Sequence, residues 1–272
     1  MRSLRLRLGI LSSFFIIIIS WYFIPDEVFV EYSDASEQYA QEVQSVTLET
    51  TGNLKEVDAE LEKKVRDKAE TVQKEEVAIA SRVKQSVPFT SQAPHAQWDD
   101  MHFQDACEEA SLVMANAWLS GDSRVSKKQA ETEMKKLFNK VDVLFGDVID
   151  TSIEDTSEIF SEYYGYEASI EKNITMTDMY EILADGKIII APTNGKWLKN
   201  PNFTNGGPDR HMLVIVGYDK KNGEFITNDP GTRLGKGYKY KDSVLYNAIR
   251  DYKTGNKEEI GRVSKNIMVI EK

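Results

Sequence analysis

A thiol works as a nucleophile when a base stands within reach and a third group holds that base in place. The chain has one cysteine and three histidines in 272 residues, so the candidates for such chemistry are few. Cys107 lies in FQDACEEASLVMANAWL, and His95, His102 and His211 are the available bases. His211 opens the apolar run HMLVIVGYD, and Asp229 follows in ITNDPG. Pairing these runs through the turn DKKNG, Asp219 to Gly223, makes a hairpin. Asp229 then falls across from His211, near Leu213. His211, Leu213 and Ile215 share one face by alternation, so local strand pairing alone can bring a carboxylate to the imidazole. Asn228 is the rival, because it and Asp229 point to opposite faces of an extended strand and only one can meet His211. Taken singly, Cys107 reads as a buried inert cysteine, His211 as a strand-end residue and Asp229 as an Asp-Pro turn acceptor. Together, a helix-borne Cys, a strand His and an Asp on the next strand point to acyl transfer through a thiol.

The cysteine needs an element that sharpens its reactivity. Asp105 reads as a helix N-cap, with Glu108 three residues on in the capping-box position. Cys107 is then N2, beside unpaired backbone N–H groups and the positive end of the helix dipole. Both favour thiolate, so a lowered pKa is expected. Glu108 and Glu109 oppose it by their charge. Ala110, Ser111, Met114, Ala117 and Trp118 follow on the cysteine's face, small enough near Cys107 for that end to press against another layer. Further helices are expected in KKQAETEMKKLF, SIEDTSEIFSEYYG and TMTDMYEILADG, and a fully buried strand in KIIIAPTNG. KGYKYKDSVLYNAI and RVSKNIMVIE finish the chain. Helices first and an antiparallel sheet afterwards make α+β the natural class.

Composition bounds the rest. A formal net charge of −10 argues against a nucleic-acid partner. With one cysteine there is no internal disulfide. His95 and His102 flank AQWDDM, but with Asp99 and Asp100 they fit no standard ligand spacing, so neither a metal nor any other cofactor is expected. The N-terminus, MRSLRLRLGILSSFFIIIISWYFIP, puts Arg2, Arg5 and Arg7 ahead of an apolar run from Leu8 to Ile24. About 17 residues is the short end of a membrane span. Trp21 and Tyr22 suit an interfacial belt, and the basic flank would keep the start in the cytoplasm and the rest outside. A cleaved signal peptide competes, but bulky Tyr22, Phe23 and Ile24 follow where small residues are wanted. An uncleaved signal-anchor over 1–25 is the preferred reading. Residues 26–85 read as a charged, partly helical stalk, with Leu54, Val57, Leu61, Val65 and Val72 near helical spacing. A short coiled coil there, and so a weak dimer, is a sharper alternative to a solvated spacer. The globular domain spans 86–272.

The stretches VPFTSQAP, QDACEEAS, NPNFTNGGPDRHMLVIVGYD and NDPG resemble the double-glycine-leader (bacteriocin-processing) peptidase-like family of papain-like cysteine peptidases. The likeness runs from Val87 to a little beyond Asn228. It implies a papain-like fold, a Cys107 nucleophile, a His211 base, an Asp229 orienter, and a glutamine that donates to the oxyanion. Gln92 matches the family's VPF..Q pattern, and Gln104 is the second choice. Glu follows the cysteine where bacteriocin-processing members more typically carry Gly, and no Walker-type phosphate loop is present. Cleavage of double-glycine leaders during export is therefore not carried over. The implied function is a membrane-anchored cysteine peptidase acting on a peptide or protein. An amidase or transpeptidase of the cell wall on the same scaffold, and a non-catalytic peptide-binding domain, stay open beside it.

Overall fold

The computed structural model describes Lys64 and residues 80–146, 150–255 and 264–272. The chain divides into two units, Met1–Gln73 and Lys74–Lys272, and the elements below belong to the second. The expected anchor over 1–25 and nearly all of the expected stalk lie outside the described residues. Among those described, no helix is long and apolar enough to cross a membrane.

The architecture is helices packed on an antiparallel sheet. In chain order the elements are β1 (Arg82–Lys84), α1 (Met101–Gln104), α2 (Cys107–Leu119), α3 (Lys127–Phe145), α4 (Ile153–Tyr164), β2 (Ser169–Glu171) and α5 (Met176–Ala184). They continue with β3 (Ile188–Thr193), β4 (His211–Asp219), β5 (Glu224–Asn228), β6 (Lys236–Lys241), α6 (Asp242–Ala248) and β7 (Ile267–Ile270). The sheet runs β2-β7-β3-β4-β5-β6, with β1 also paired to β4. Local chemistry starts α3, α4 and α5. Ser126 and Gln129 form a reciprocal capping box on α3, Ser152 caps α4, and Thr175 with Asp178 boxes α5. Such a cap satisfies backbone N–H groups that the helix itself cannot.

Strands β3 and β4 are buried along their whole length because helices cover both faces of the sheet. Alternation divides their side chains. Met212, Val214 and Val216 join Ile188 and Ile190 under α2, α3 and α4, whereas Leu213, Ile215, Ile189 and Phe225 pack with Met179, Leu183 and Leu245 of α5 and α6. A strand enclosed on both sides reads as a continuous apolar run, which is what KIII and MLVIV are. Helix α2 is buried almost all round, with Leu112, Met114 and Trp118 in the core. Each such side chain contributes roughly 1.5–3 kcal/mol by leaving water.

Two features steer the site. The β4–β5 hairpin turns at Lys220–Asn222, where Asp219 caps a short 3-10 turn and Gly223 takes the left-handed conformation. Its register pairs Val214 with Asn228, so continuing by one residue sets Asp229 opposite Leu213. Strand β1, just ahead of the expected domain start at Ser86, pairs with the far end of β4. Gly217 makes room for it: a Cβ there would lie 2.1 Å from the Val83 carbonyl oxygen.

Candidate active site

His211 begins β4, and its Nε2 lies 2.9 Å from Asp229 Oδ1. Both side chains are buried, at 1 % and 0 % exposure. Asp229 is held on every side. The Gly231 N–H donates to Oδ1 at 3.0 Å, and the Tyr240 hydroxyl donates to Oδ2 at 2.5 Å. Tyr240 in turn accepts from Asn200 Nδ2 at 2.7 Å. Burial opposes ionisation of Asp229 most strongly, yet His211 and the Tyr240 and Gly231 donors outweigh it and hold the carboxyl below its ordinary range. Asn228 faces away: its amide donates to the Val87 carbonyl at 3.1 Å and accepts from Gly237 N at 3.1 Å. Of the two rivals, Asp229 is the one that meets His211. The imidazole also packs edge-on against Phe203, with ring centroids 5.3 Å apart. With Nε2 committed to Asp229, Nδ1 is the ring nitrogen left for proton transfer.

Cys107 meets the strand that carries His211. Its sulfur accepts the backbone N–H of Met212, the residue after His211, at 3.2 Å. Helix α2 and strand β4 thus meet at the thiol. The start of α2 differs from the capped N2 position expected for Cys107. Residues 101–104 form the short helix α1, capped by Asp100, so Asp105 closes that helix and does not open the next. Ala106 becomes the N-cap of α2 with no side-chain bond, and Cys107 is N1. Glu108 does not fold back as a capping box. One carboxylate oxygen accepts the Cys107 thiol at 3.0 Å, and the other accepts the Tyr252 hydroxyl at 2.5 Å.

The expected fall in the thiol pKa is also overturned. Burial first, and the Glu108 carboxylate second, push Cys107 well above its ordinary value. The cause is the tertiary setting: the dipole argument holds for a helix end open to solvent, whereas this one is dry and next to an acid. Burial raises Glu108 to about 7, with Asp150 adding to the effect. Glu109 is raised in the same way, and its Oε2 has no hydrogen-bond partner among the described residues.

Gln92 is buried on the loop leading to Cys107. Its backbone N–H donates to Pro230 O at 3.0 Å, tying the loop to the residue after Asp229. Its side-chain Nε2 donates to the carbonyls of Gln104 and Phe103, and its Oε1 has no hydrogen-bond partner among the described residues. The amide therefore lies near the helix that carries Cys107, with its donors engaged by α1. Gln104 is an exposed side chain. His95 and His102 sit apart, on the surface, 3.7 Å from Glu131 and 3.5 Å from Asp100. A cleft of about 510 Å³ opens beside the site, lined by Phe89, Ser91, Trp98, Val125, Gly231 and Arg233 among others. Gly231 belongs to both: a Cβ there would lie 2.9 Å from His211 Cε1.

Glu108, Tyr252, Tyr240 and Asn200 were not singled out as functional from the sequence. Glu108 carried a signal, an acid next to the lone thiol. Asn200 opens the NPNFTNGG stretch but had no role read from it, and the two tyrosines carried no signal, because each reaches the site across a tertiary contact.

A model of the Peptidase_C39 like family matches residues 84–258. Among solved structures, a protein from Bacillus anthracis taken to be a C39-like peptidase is similar at 18% identity and a TM-score of 0.39, over 70% of this chain and 98% of that one. Xylellain, a cysteine protease from Xylella fastidiosa, is similar at 14% identity and a TM-score of 0.30, over 72% of this chain and 87% of that one. No curated protein matches.

Proposed function

We propose that this chain, which belongs to the Peptidase_C39 like family, is a papain-like cysteine peptidase hydrolysing peptide bonds through Cys107, His211 and Asp229. The observation that carries the reading is the buried His211–Asp229 hydrogen bond of 2.9 Å, with the Cys107 sulfur on the N–H of the very next residue. In this mechanism the sulfur attacks the substrate carbonyl and its proton passes to His211 Nδ1. Asp229 keeps the tautomer and stabilises the imidazolium. The imidazolium then protonates the leaving amine, and the neutral ring draws a proton from the water that opens the thioester. The developing oxyanion meets the Cys107 backbone N–H at the first turn of α2 and the Gln92 amide, which must first leave the Gln104 carbonyl. A donor of this kind is worth roughly 3–4 kcal/mol in the transition state. The adjoining cleft is the place for an extended peptide.

The Arg2, Arg5 and Arg7 flank supports a second part of the reading, a signal-anchor that keeps the peptidase domain outside the membrane. Protease added to intact spheroplasts should then degrade the domain, and full protection would refute this topology. The catalytic reading is tested with a thiol-reactive epoxide and a peptide-library digest on wild type, Cys107→Ala and His211→Ala. Labelling and cleavage confined to wild type are expected. Cleavage that survives Cys107→Ala would end the proposal, and products capped by an added amine would move it to acyl transfer onto amines.

A further inference from the structure

The mechanism above makes no use of Glu108, although its carboxylate touches the nucleophile. Glu108 is 1 % exposed and its two oxygens have separate tasks. Oε1 is fixed by the Tyr252 hydroxyl at 2.5 Å, and Oε2 accepts the Cys107 S–H at 3.0 Å. Tyr252 is buried in the segment after α6. The charged groups around the carboxylate are Glu109 on its own helix, Asp150 in the segment after α3, and Arg210 ahead of β4. Arg210 pairs with Asp150 at 2.9 Å and lies 5.9 Å from the Tyr252 ring centre. Asp105, before α2, adds a further negative charge felt at Glu109. Arg210 is engaged with Asp150, and among the described residues the hydrogen bonds to the Glu108 carboxylate come from neutral donors, a thiol and a phenol.

Above about pH 7, where Glu108 is ionised, its carboxylate can only accept a hydrogen bond, so a thiol that donates to it must keep its proton. A thiolate in the same place would set two negative charges against each other in a dry site. We propose that Glu108 is a positioning residue that keeps Cys107 a thiol at rest, so that the sulfur loses its proton only as it attacks. This rests on the reading of Cys107 as the nucleophile and specifies how that site is controlled. The resting enzyme then holds no thiolate–imidazolium pair. On attack the S–H bond breaks, its proton goes to His211 Nδ1, the sulfur lone pair forms the S–C bond, and the carbonyl π pair moves to oxygen. Burial and Glu108 push the thiol in the direction this requires.

Because Cys107 is the only cysteine, alkylation of the full chain by iodoacetamide, read by intact mass, reports on this sulfur alone. The wild type should alkylate slowly at neutral pH, with its rate rising only in alkaline solution. Glu108→Gln keeps the size of the side chain and an acceptor for Tyr252 while removing the charge. It should move the pH–rate profile down by about a unit or more, raising the neutral rate about tenfold. Tyr252→Phe removes the donor that favours the charged carboxylate, and should move the profile the same way by less. A role in packing alone would lower stability and leave the profile in place. Superimposable profiles for wild type and Glu108→Gln would overturn the proposal. Should Glu108→Gln fail to fold by circular dichroism, an unmoved Tyr252→Phe profile would do so. Failure of the peptidase reading looks different: cleavage would survive Cys107→Ala, whatever the alkylation profiles show.

Discussion

The buried acid at the head of α2 should make the fold weaker as the solution turns alkaline, by an amount the structure allows to be worked out. Glu108 is held at about 7 in the folded chain against an ordinary value of 4.5. A carboxyl raised by folding binds its proton more tightly in the folded state than in the unfolded one. Stability is then full below the unfolded value, falls as pH rises from there towards the folded value, and levels off above it. The shift of 7 − 4.5 = 2.5 units corresponds to about 3 kcal/mol in full, of which roughly 2–3 kcal/mol falls between about pH 5 and pH 8. Glu109 is raised as well and acts with the same sign. Asp229 is held low and has the opposite sign, but its stabilisation is lost only in stronger acid, as pH falls through its depressed value. Urea unfolding followed by tryptophan fluorescence at a series of pH values gives the measurement. Wild type should lose stability across this window, and Glu108→Gln should lose markedly less. A wild type as stable at about pH 8 as at about pH 5 would refute the reasoning, as would a Glu108→Gln slope equal to that of wild type.

Asp229→Ala should leave the protein folded and lower kcat/KM by about 10²–10⁴, because the imidazole loses its orienting acceptor. Asn228→Ala should instead cost about 1–3 kcal/mol in urea unfolding, through its lost bonds to Val87 and Gly237, with turnover nearly unchanged. Tyr240→Phe removes a donor to Asp229 and leaves the Asn200 amide without its acceptor. It should cost about 1.5–3 kcal/mol and slow turnover together, and full kcat/KM would argue against a link to the site. In Gly231→Ala the new methyl would lie 2.9 Å from His211 Cε1 and 3.0 Å from Phe203 Cε1. Displacing the ring should lower kcat/KM about tenfold or more for a stability loss of about 1–3 kcal/mol, and unaltered turnover would show that the ring has room to move.

The parts legible in the sequence were those governed by local rules. HMLVIVGYD is β4 from end to end, because an apolar run bounded by a turn has few other uses. The existence of the hairpin was legible from the DKKNG turn, but its register at the site is set by a shift between Ile215 and Gly217, which moves Asn228 opposite Val214 and so brings Asp229 to His211. The lone cysteine, the His block and the VPF..Q stretch identified the family that the comparisons support. The start of α2 was misread for an equally physical reason. Asp105 has the chemistry of a cap, but the four residues before it form a turn of helix too short to show any period. Strands β1 and β2, three residues each, are also below the length at which alternation speaks. The environment of the thiol was the least legible part. Its pKa depends on burial and on a carboxylate oriented by Tyr252, 144 positions away, and no local pattern encodes that.

The separations along the chain suggest an order of assembly. His211 and Asp229 are 18 residues apart and joined by a hairpin, whereas Cys107 and Met212 are 105 apart. Closing the longer loop costs more chain entropy and awaits the docking of α2 on the sheet. A chain still emerging, or only partly folded, would then carry the paired base with its sulfur elsewhere, free in solvent and away from Glu108. Such a chain has an ordinary thiol; docking of α2 brings the sulfur to β4 and hides it in one step. Pulsed alkylation during refolding would follow this as loss of Cys107 labelling after the hairpin amides are protected from exchange. Protection of the sulfur before those amides would show the opposite order.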